Sequence, residues 1–203
     1  MTEIVYRQIE PAWAEQLEAI ELAAFPNVAG GDLYNADSLR LLAQRFPEGC
    51  FVAFDGANPV GMGLGVLLDF DFDHIDHSAA AVYNSHDADG DWYYGTTIAV
   101  LAEYRGRGIG RDLYQRRKEV VRRLNKKGIV AGGVLPGYAD HKDVMSAEDY
   151  LAKVAAGELY DPTLTFQMEN GFQARAVLND YMQDATVGNH ACLIVWENPD
   201  YRE

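Results

Sequence analysis

Thr96-Thr97-Ile98-Ala99-Val100-Leu101-Ala102-Glu103-Tyr104-Arg105-Gly106-Arg107-Gly108-Ile109-Gly110-Arg111, continuing without a break to Lys127 and Gly128, is the stretch from which the rest of the chain can be read. An apolar run opens it, a glycine-rich turn follows, and Arg111 to Lys127 keeps a helical pattern that Gly128 is expected to close. The order is strand, glycine turn, helix. The first N–H groups of a helix have no intrahelical partner, and the helix dipole adds positive charge there. Glycines let a backbone approach a ligand closely and adopt positive φ. Together these features make a seat for a phosphate, and Arg105, Arg107 and Arg111 add cationic donors.

The spacing decides between phosphate ligands. A dinucleotide turn needs a third glycine five residues after Gly106, where this chain has Arg111. The Gly-Lys-Ser/Thr of a P-loop is absent. What is present is R-x-x-G-x-G, with Val100 five residues ahead of Arg105. This resembles the acetyl-CoA motif of the GCN5-related N-acetyltransferases (the GNAT superfamily). The resemblance implies an α/β (α+β) GNAT fold: a mixed, mostly antiparallel twisted sheet of about six to seven strands flanked by helices. It also implies a central β-α-β unit whose strands splay to admit the pantetheine arm, and acetyl-CoA as co-substrate. Ile98, Ala99, Val100, Arg105, Gly106, Arg107, Gly108, Ile109, Gly110 and Arg111 are its cofactor-binding candidates.

Working outward toward the C-terminus, Leu113, Val120, Val121 and Leu124 form an apolar stripe, with Arg116, Arg117, Arg122 and Arg123 expected outside it. Ile129 to Leu135 is the next strand, Pro136-Gly137-Tyr138 a turn, and Ser146 opens a helix that Gly157 ends. A short helix from Asp161-Pro162 to Met168 and strands at Gln173–Tyr181 and Ala191–Trp196 complete this half. Pro136-Gly137-Tyr138 and Asp161-Pro162-Thr163-Leu164 also look like the acetyltransferase module found fused to carbon–nitrogen hydrolases. Toward the N-terminus the chain reads as a strand at Ile4–Glu10 and a helix after Pro11 with Trp13, Leu17, Ile20 and Ala24 on one stripe. A second helix follows, capped by Asp37 or Ser38, and then strands at Cys50–Phe54 and Val60–Phe70. Gly61, Gly63 and Gly65 share one side of the latter strand, for ligand approach or close packing.

Residues 69–91 form an acidic insertion rich in Asp, with His74, His77 and His86. Neither Asp69 nor Asp87 starts a calcium loop, since Gly at the sixth position and Glu at the twelfth are both missing. A solvated loop, a rim attracting a cationic amine, and a zinc site from His74, His77 and a carboxylate are the readings left open.

The 203 residues suit one domain, and 48% apolar content suits a filled core. A net charge of −14 argues against nucleic acid and anionic membrane surfaces and accommodates an amine substrate, small-molecule or protein. Against this acidic background, ten Lys or Arg lie between Arg105 and Lys127. Isolated Cys50 and Cys192, and an N-terminus without signal-peptide character, lead to the expectation of a cytoplasmic protein with reduced thiols. No metal is expected, and a homodimer is compatible with the sequence.

Transfer of acetyl from a thioester to an amine needs a polarised carbonyl, a base and a donor for the departing sulfur. In the resembling family the donor is a tyrosine four residues before the glycine of Gly-Phe, but here that position is Gln167. Tyr138 ranks ahead of Tyr150 and Tyr160 as its substitute, and Asp91 and His86 are the candidate bases. Two further function classes stand beside this N-acetyltransferase reading: an acyl-CoA-binding module without turnover, favoured by Gln167, and a metal-binding protein using the Asp/His segment.

Overall fold

The computed structural model describes residues 3–75, 77–83 and 85–203. Seven strands build one sheet: β1 Ile4–Gln8, β2 Phe51–Asp55, β3 Asn58–Leu68, β4 Trp92–Val100, β5 Gly128–Val134, β6 Gln173–Leu178 and β7 Ala191–Glu197. Their spatial order is β1-β2-β3-β4-β5-β7-β6. All neighbours are antiparallel except β4 and β5, which the helix between them makes parallel. This is the mixed sheet expected from the sequence.

Helices α1 (Ala14–Ala24), α2 (Ala36–Arg45), α3 (Ala79–Tyr83), α4 (Ile109–Arg123), α5 (Ala147–Ala155) and α6 (Leu164–Glu169) flank it. Strand alternation divides the core. Val52 and Phe54 pack with Leu17, Leu39 and Leu42 of α1 and α2, whereas Ala53 and Val60 pack with Ile109 and Leu113 of α4. Of the alternatives for the β3 glycines, Gly61 and Gly63 show close packing. A Cβ on Gly61 would meet the Ala99 carbonyl at 2.9 Å, and one on Gly63 would meet Leu113 at 3.2 Å. Both free cysteines are buried, and burial pushes each thiol up to about 12.

Several boundaries differ from the sequence reading. Asn35, not Asp37 or Ser38, caps α2: its side chain accepts from the Ser38 N–H (2.9 Å) while Ser38 Oγ accepts from the Asn35 N–H (3.0 Å). Asn35→Ala removes one half of this box and is expected to cost about 1 kcal/mol, measured as a Tm lowered by roughly 2–4 °C. Helix α4 ends at Arg123 with Asn125 at φ 49°, and Gly128 is the first residue of β5. Asparagine tolerates the left-handed region, so the glycine is free for close sheet packing. Arg117 and Lys118, the first expected outside, are buried at 2% and 6% exposure.

Two irregularities in the sheet prepare the site. β5 pairs with β4 only from Trp92↔Gly128 to Gly95↔Ala131, and beyond these residues the strands part, forming the splay. On the other edge of β4, Leu64 faces Thr97 while Gly65 faces Gly95, leaving Thr96 as a bulge. Arg117 reaches from α4 to this bulge and donates to the carbonyls of Leu64 and Thr97. A guanidinium with two backbone acceptors and the rings of Tyr93 and Tyr114 nearby explains why a charged residue sits inside.

Candidate active site

The glycine turn lies between β4 and α4. A turn of 3-10 helix, Ala102–Tyr104, leads into Arg105. Gly106 has φ 74°, and Gly108 has φ 85° and begins α4 without a side-chain cap. The first N–H groups of α4 therefore lack helical partners. A Cβ added to Gly106 or Gly108 would meet no atom within 4 Å, so the surface before this backbone is open and a side chain would fill it. Arg105 Nε donates to the Val100 carbonyl (3.1 Å), and Arg107 donates to the Glu103 carbonyl (3.0 Å) while lying over the Tyr104 ring. Both arginines brace the turn and remain exposed, as does Arg111. Ile109 directs its side chain into the core, and Gly110 packs under Phe166. Those two residues can serve an anion through their N–H groups only. The donor set suits a phosphate.

Along the splay, Ile98, Ala99 and Val100 pair with Gly63, Met62 and Gly61 of β3 and have no residue of β5 opposite them. Across the gap stand Gly132 and Gly133. The Tyr181 ring fills the space a Gly132 Cβ would take, and the Gln167 amide fills that of Gly133. Gln167 is 6% exposed, and among the described residues its buried Oε1 has no hydrogen-bond partner. The Tyr94 and Tyr181 hydroxyls are 3.2 Å apart and share the Gly132 backbone, and His77 Nε2 lies 2.6 Å from Tyr94. Burial pushes Tyr181 up to about 12 and raises Tyr94 well above the ordinary phenol value.

On the α1 side of β4, Tyr34 donates to Thr96 Oγ1 (3.0 Å) and Thr97 Oγ1 donates to Glu21 Oε1 (2.9 Å). Glu21 is 0% exposed, and among the described residues its Oε2 has no hydrogen-bond partner. Burial pushes its carboxyl up to about 7, against the opposing hydrogen bonds from Thr97 and from the Tyr34 backbone. The sequence reading missed Glu21. The signal was present: with Leu17 and Ala24 it falls at spacings of four and three on the buried stripe of α1.

Tyr138, Tyr150, Asp91 and His86, expected to do the chemistry, are each engaged with other groups. Tyr138 is buried and donates to the Met145 carbonyl (3.0 Å), beside the Tyr150 ring. Tyr150 donates to Asp161, and Tyr160 is 70% exposed. Asp91 precedes β4 and pairs with Lys127 at 2.6 Å, nine strand residues or about 30 Å from Val100. His86 Nδ1 accepts from the Leu67 N–H (3.1 Å), its ring stacks on Phe46, and burial lowers its pKa. Asp91 and His86 thus sit toward the end of β4 remote from the glycine turn, and neither is brought to the splay. His74 pairs with Asp71 at the surface while His77 turns inward, so the zinc arrangement is not assembled from them. Among the described residues no three His, Cys, Asp or Glu converge as metal ligands, and Asp76 lies outside those residues.

The Acetyltransferase (GNAT) family matches residues 14–137, more than half of the chain. The chain belongs to the GNAT family. It is 32% identical over 204 residues to "Probable hydrolase YhcX" of Bacillus subtilis, covering 98% of this chain. It spans only 39% of that protein's length, which fits the likeness to a hydrolase-fused module. "Uncharacterized N-acetyltransferase YkwB" of the same organism is 27% identical, with 93% of this chain and 86% of YkwB covered. Among solved structures, the loading GNATL domain of CurA from Lyngbya majuscula superposes with a TM-score of 0.86 at 17% identity, covering 97% and 98% of the two chains. The GphF GNAT-like decarboxylase in complex with isobutyryl-CoA gives 0.84 at 16% identity, covering 96% and 99%. These last two are likenesses of fold.

Proposed function

We propose that this GNAT protein moves an acetyl group from acetyl-CoA directly to a primary amine. The observation that carries this reading is the continuity of the anion seat with the splay. The half-strand Thr96–Val100 joins the two and spans about 13 Å. A ligand reaching both would carry phosphate at one end and an extended arm at the other. CoA has that form, and the unpaired edge of Ile98–Val100 offers its amides the hydrogen bonds that β5 gives up. GphF holding isobutyryl-CoA and YkwB being named an N-acetyltransferase support it. In this reading Gly106, Gly108 and the first N–H groups of α4 hold the pyrophosphate, and the β4 backbone polarises the acyl carbonyl. The hydroxyls of Tyr94 and Tyr181, 3.2 Å apart beside the Gly132 backbone, are candidate donors to the departing sulfur. The acidic chain favours a cationic acceptor. No helix among the described residues is long and apolar enough to cross a membrane, and a cytoplasmic site of action belongs to the proposal.

Thermal unfolding tests the cofactor. CoA or acetyl-CoA at a hundredfold excess over Kd is expected to stabilise the protein by about 2.7 kcal/mol, raising Tm by roughly 5–10 °C, with no shift from NAD or ATP. No shift with CoA would sink the reading. A second reading, an acyl-CoA-binding module without turnover, rests on the amide of Gln167 standing beside Gly133 where a proton donor would serve. It predicts the same shift but no thiol release with any amine.

A further inference from the structure

We infer that Glu21 is the base that takes the acceptor's proton, and that the acceptor enters as the ammonium of a primary amine. This rests on the acyl-transfer reading above. Three observations carry it. The Glu21 carboxyl is hydrogen bonded to Thr97, two residues past the last parallel pair, so it faces the part of β4 that borders the gap. Besides Thr97, the Tyr34 backbone N–H approaches the carboxyl, and among the described residues Oε2 is buried without a hydrogen-bond partner, so it can accept from a bound donor. A buried polar atom left in this way is costly unless something binds it. No salt bridge reaches it among the described residues.

The groups around Glu21 favour a cation that gives up a proton. The phenols coupled to it are Tyr34, from the loop after α1, and Tyr83 of α3. Their rings stack at 4.1 Å. From β4 comes the Thr97 hydroxyl. α2 presents Leu39, Leu42 and Ala43, and β3 is apolar beyond Asn58. A carboxyl in this setting titrates near neutrality, where a general base is most effective. The loop that covers it begins at the edge of an open depression of about 630 Å³, lined by Asn27, Val28, Ala29, Met182, Gln183 and Asn189.

The step balances without a further reactant. Glu21 Oε2 takes one proton from the ammonium, and the nitrogen lone pair forms the C–N bond to the acyl carbon. Collapse of the tetrahedral adduct breaks the C–S bond, and the second nitrogen proton passes to the departing sulfur. The carboxyl then returns its proton to solvent.

Glu21→Gln separates this role from a structural one, because the amide oxygen can still accept from Thr97 but cannot take a proton. With acetyl-CoA and a panel of primary amines over roughly pH 5.5–9, wild-type kcat/KM should rise through an ionisation near 7. The E21Q variant should fall about 100-fold or more and lose that ionisation, while Glu21→Asp retains it. E21Q should keep the full thermal shift with CoA; loss of that shift in the wild type as well would count against the cofactor reading instead. A readout without turnover is the Tm difference between E21Q and wild type. A carboxyl raised in the native state holds its proton more tightly there, so wild-type stability falls as pH climbs from the unfolded value through about 7. E21Q lacks that fall and should gain on the wild type across the window. An E21Q enzyme with the wild-type rate and pH profile, or a Tm difference independent of pH, overturns the assignment.

Discussion

Gly108→Val is expected to bind CoA about 100-fold more weakly than the wild type, a loss of roughly 3 kcal/mol. Gly108 holds φ 85° at the first turn of α4, with open space where a side chain would stand. In the ligand-free protein the substitution therefore meets no atoms and costs only backbone strain, about 1–3 kcal/mol. The ligand meets the whole effect, because branched carbons occupy the position a phosphate needs to reach the N–H groups, and charge-assisted hydrogen bonds there are worth about 1.5–3 kcal/mol each. Gly157→Val is the matched control. Gly157 has φ 76° and open space too, but it ends α5. Both variants should unfold at lower temperature, and only Gly108→Val should lose the CoA-induced shift. Retention of CoA affinity within about threefold would show that the anion seat lies elsewhere.

Asp161→Ala is expected to destabilise the protein by about 3–5 kcal/mol, a Tm lower by roughly 10 °C. Asp161 is 0% exposed, and its carboxylate accepts four hydrogen bonds. Oδ2 takes the Gly137 N–H (3.0 Å) and the Tyr150 hydroxyl (2.9 Å), and Oδ1 takes the N–H groups of Thr163 (2.9 Å) and Leu164 (2.8 Å). Alanine leaves all four donors unanswered in the interior. A Cβ on Gly137 would stand 2.4 Å from the Tyr150 hydroxyl, which accounts for the glycine in that turn. Pro136-Gly137-Tyr138 and Asp161-Pro162 are therefore one structural unit fixed by one carboxylate. Asp161→Asn should be less damaging, since the amide keeps one acceptor oxygen. A Tm within about 2 °C of wild type for Asp161→Ala would refute this account.

The strand, glycine turn and helix were legible because each has a local cause: alternation or apolar run, positive φ, and a 3.6-residue stripe. So was the parallel pair, since the helix between two strands dictates it. What escaped depends on partners distant in the chain. Arg117 stands four residues after Leu113, on the inward side, and its charge alone argued for solvent; its acceptors exist only because β4 bulges at Thr96. Glu21 and Thr97 are 76 residues apart, and Tyr94 and Tyr181 are 87 apart. Asp91 and His86 offer the carboxylate and the imidazole that a base requires, and the extended geometry of β4 carries them away from the glycine turn. Asn125 displaced Gly128 as the left-handed residue because two residue types can fill that role.

The burial of Cys50 and Cys192 has a practical consequence for enzymology. A thiolate is the species that attacks disulfide and maleimide dyes, and both thiols are held far from ionising at assay pH by an interior that also excludes the dye. The native protein should therefore be silent toward thiol reagents. In an assay of the proposed acetyl transfer, colour would report released CoA alone, and a slow later rise of two thiols per chain would mark the moment at which the protein itself unfolds.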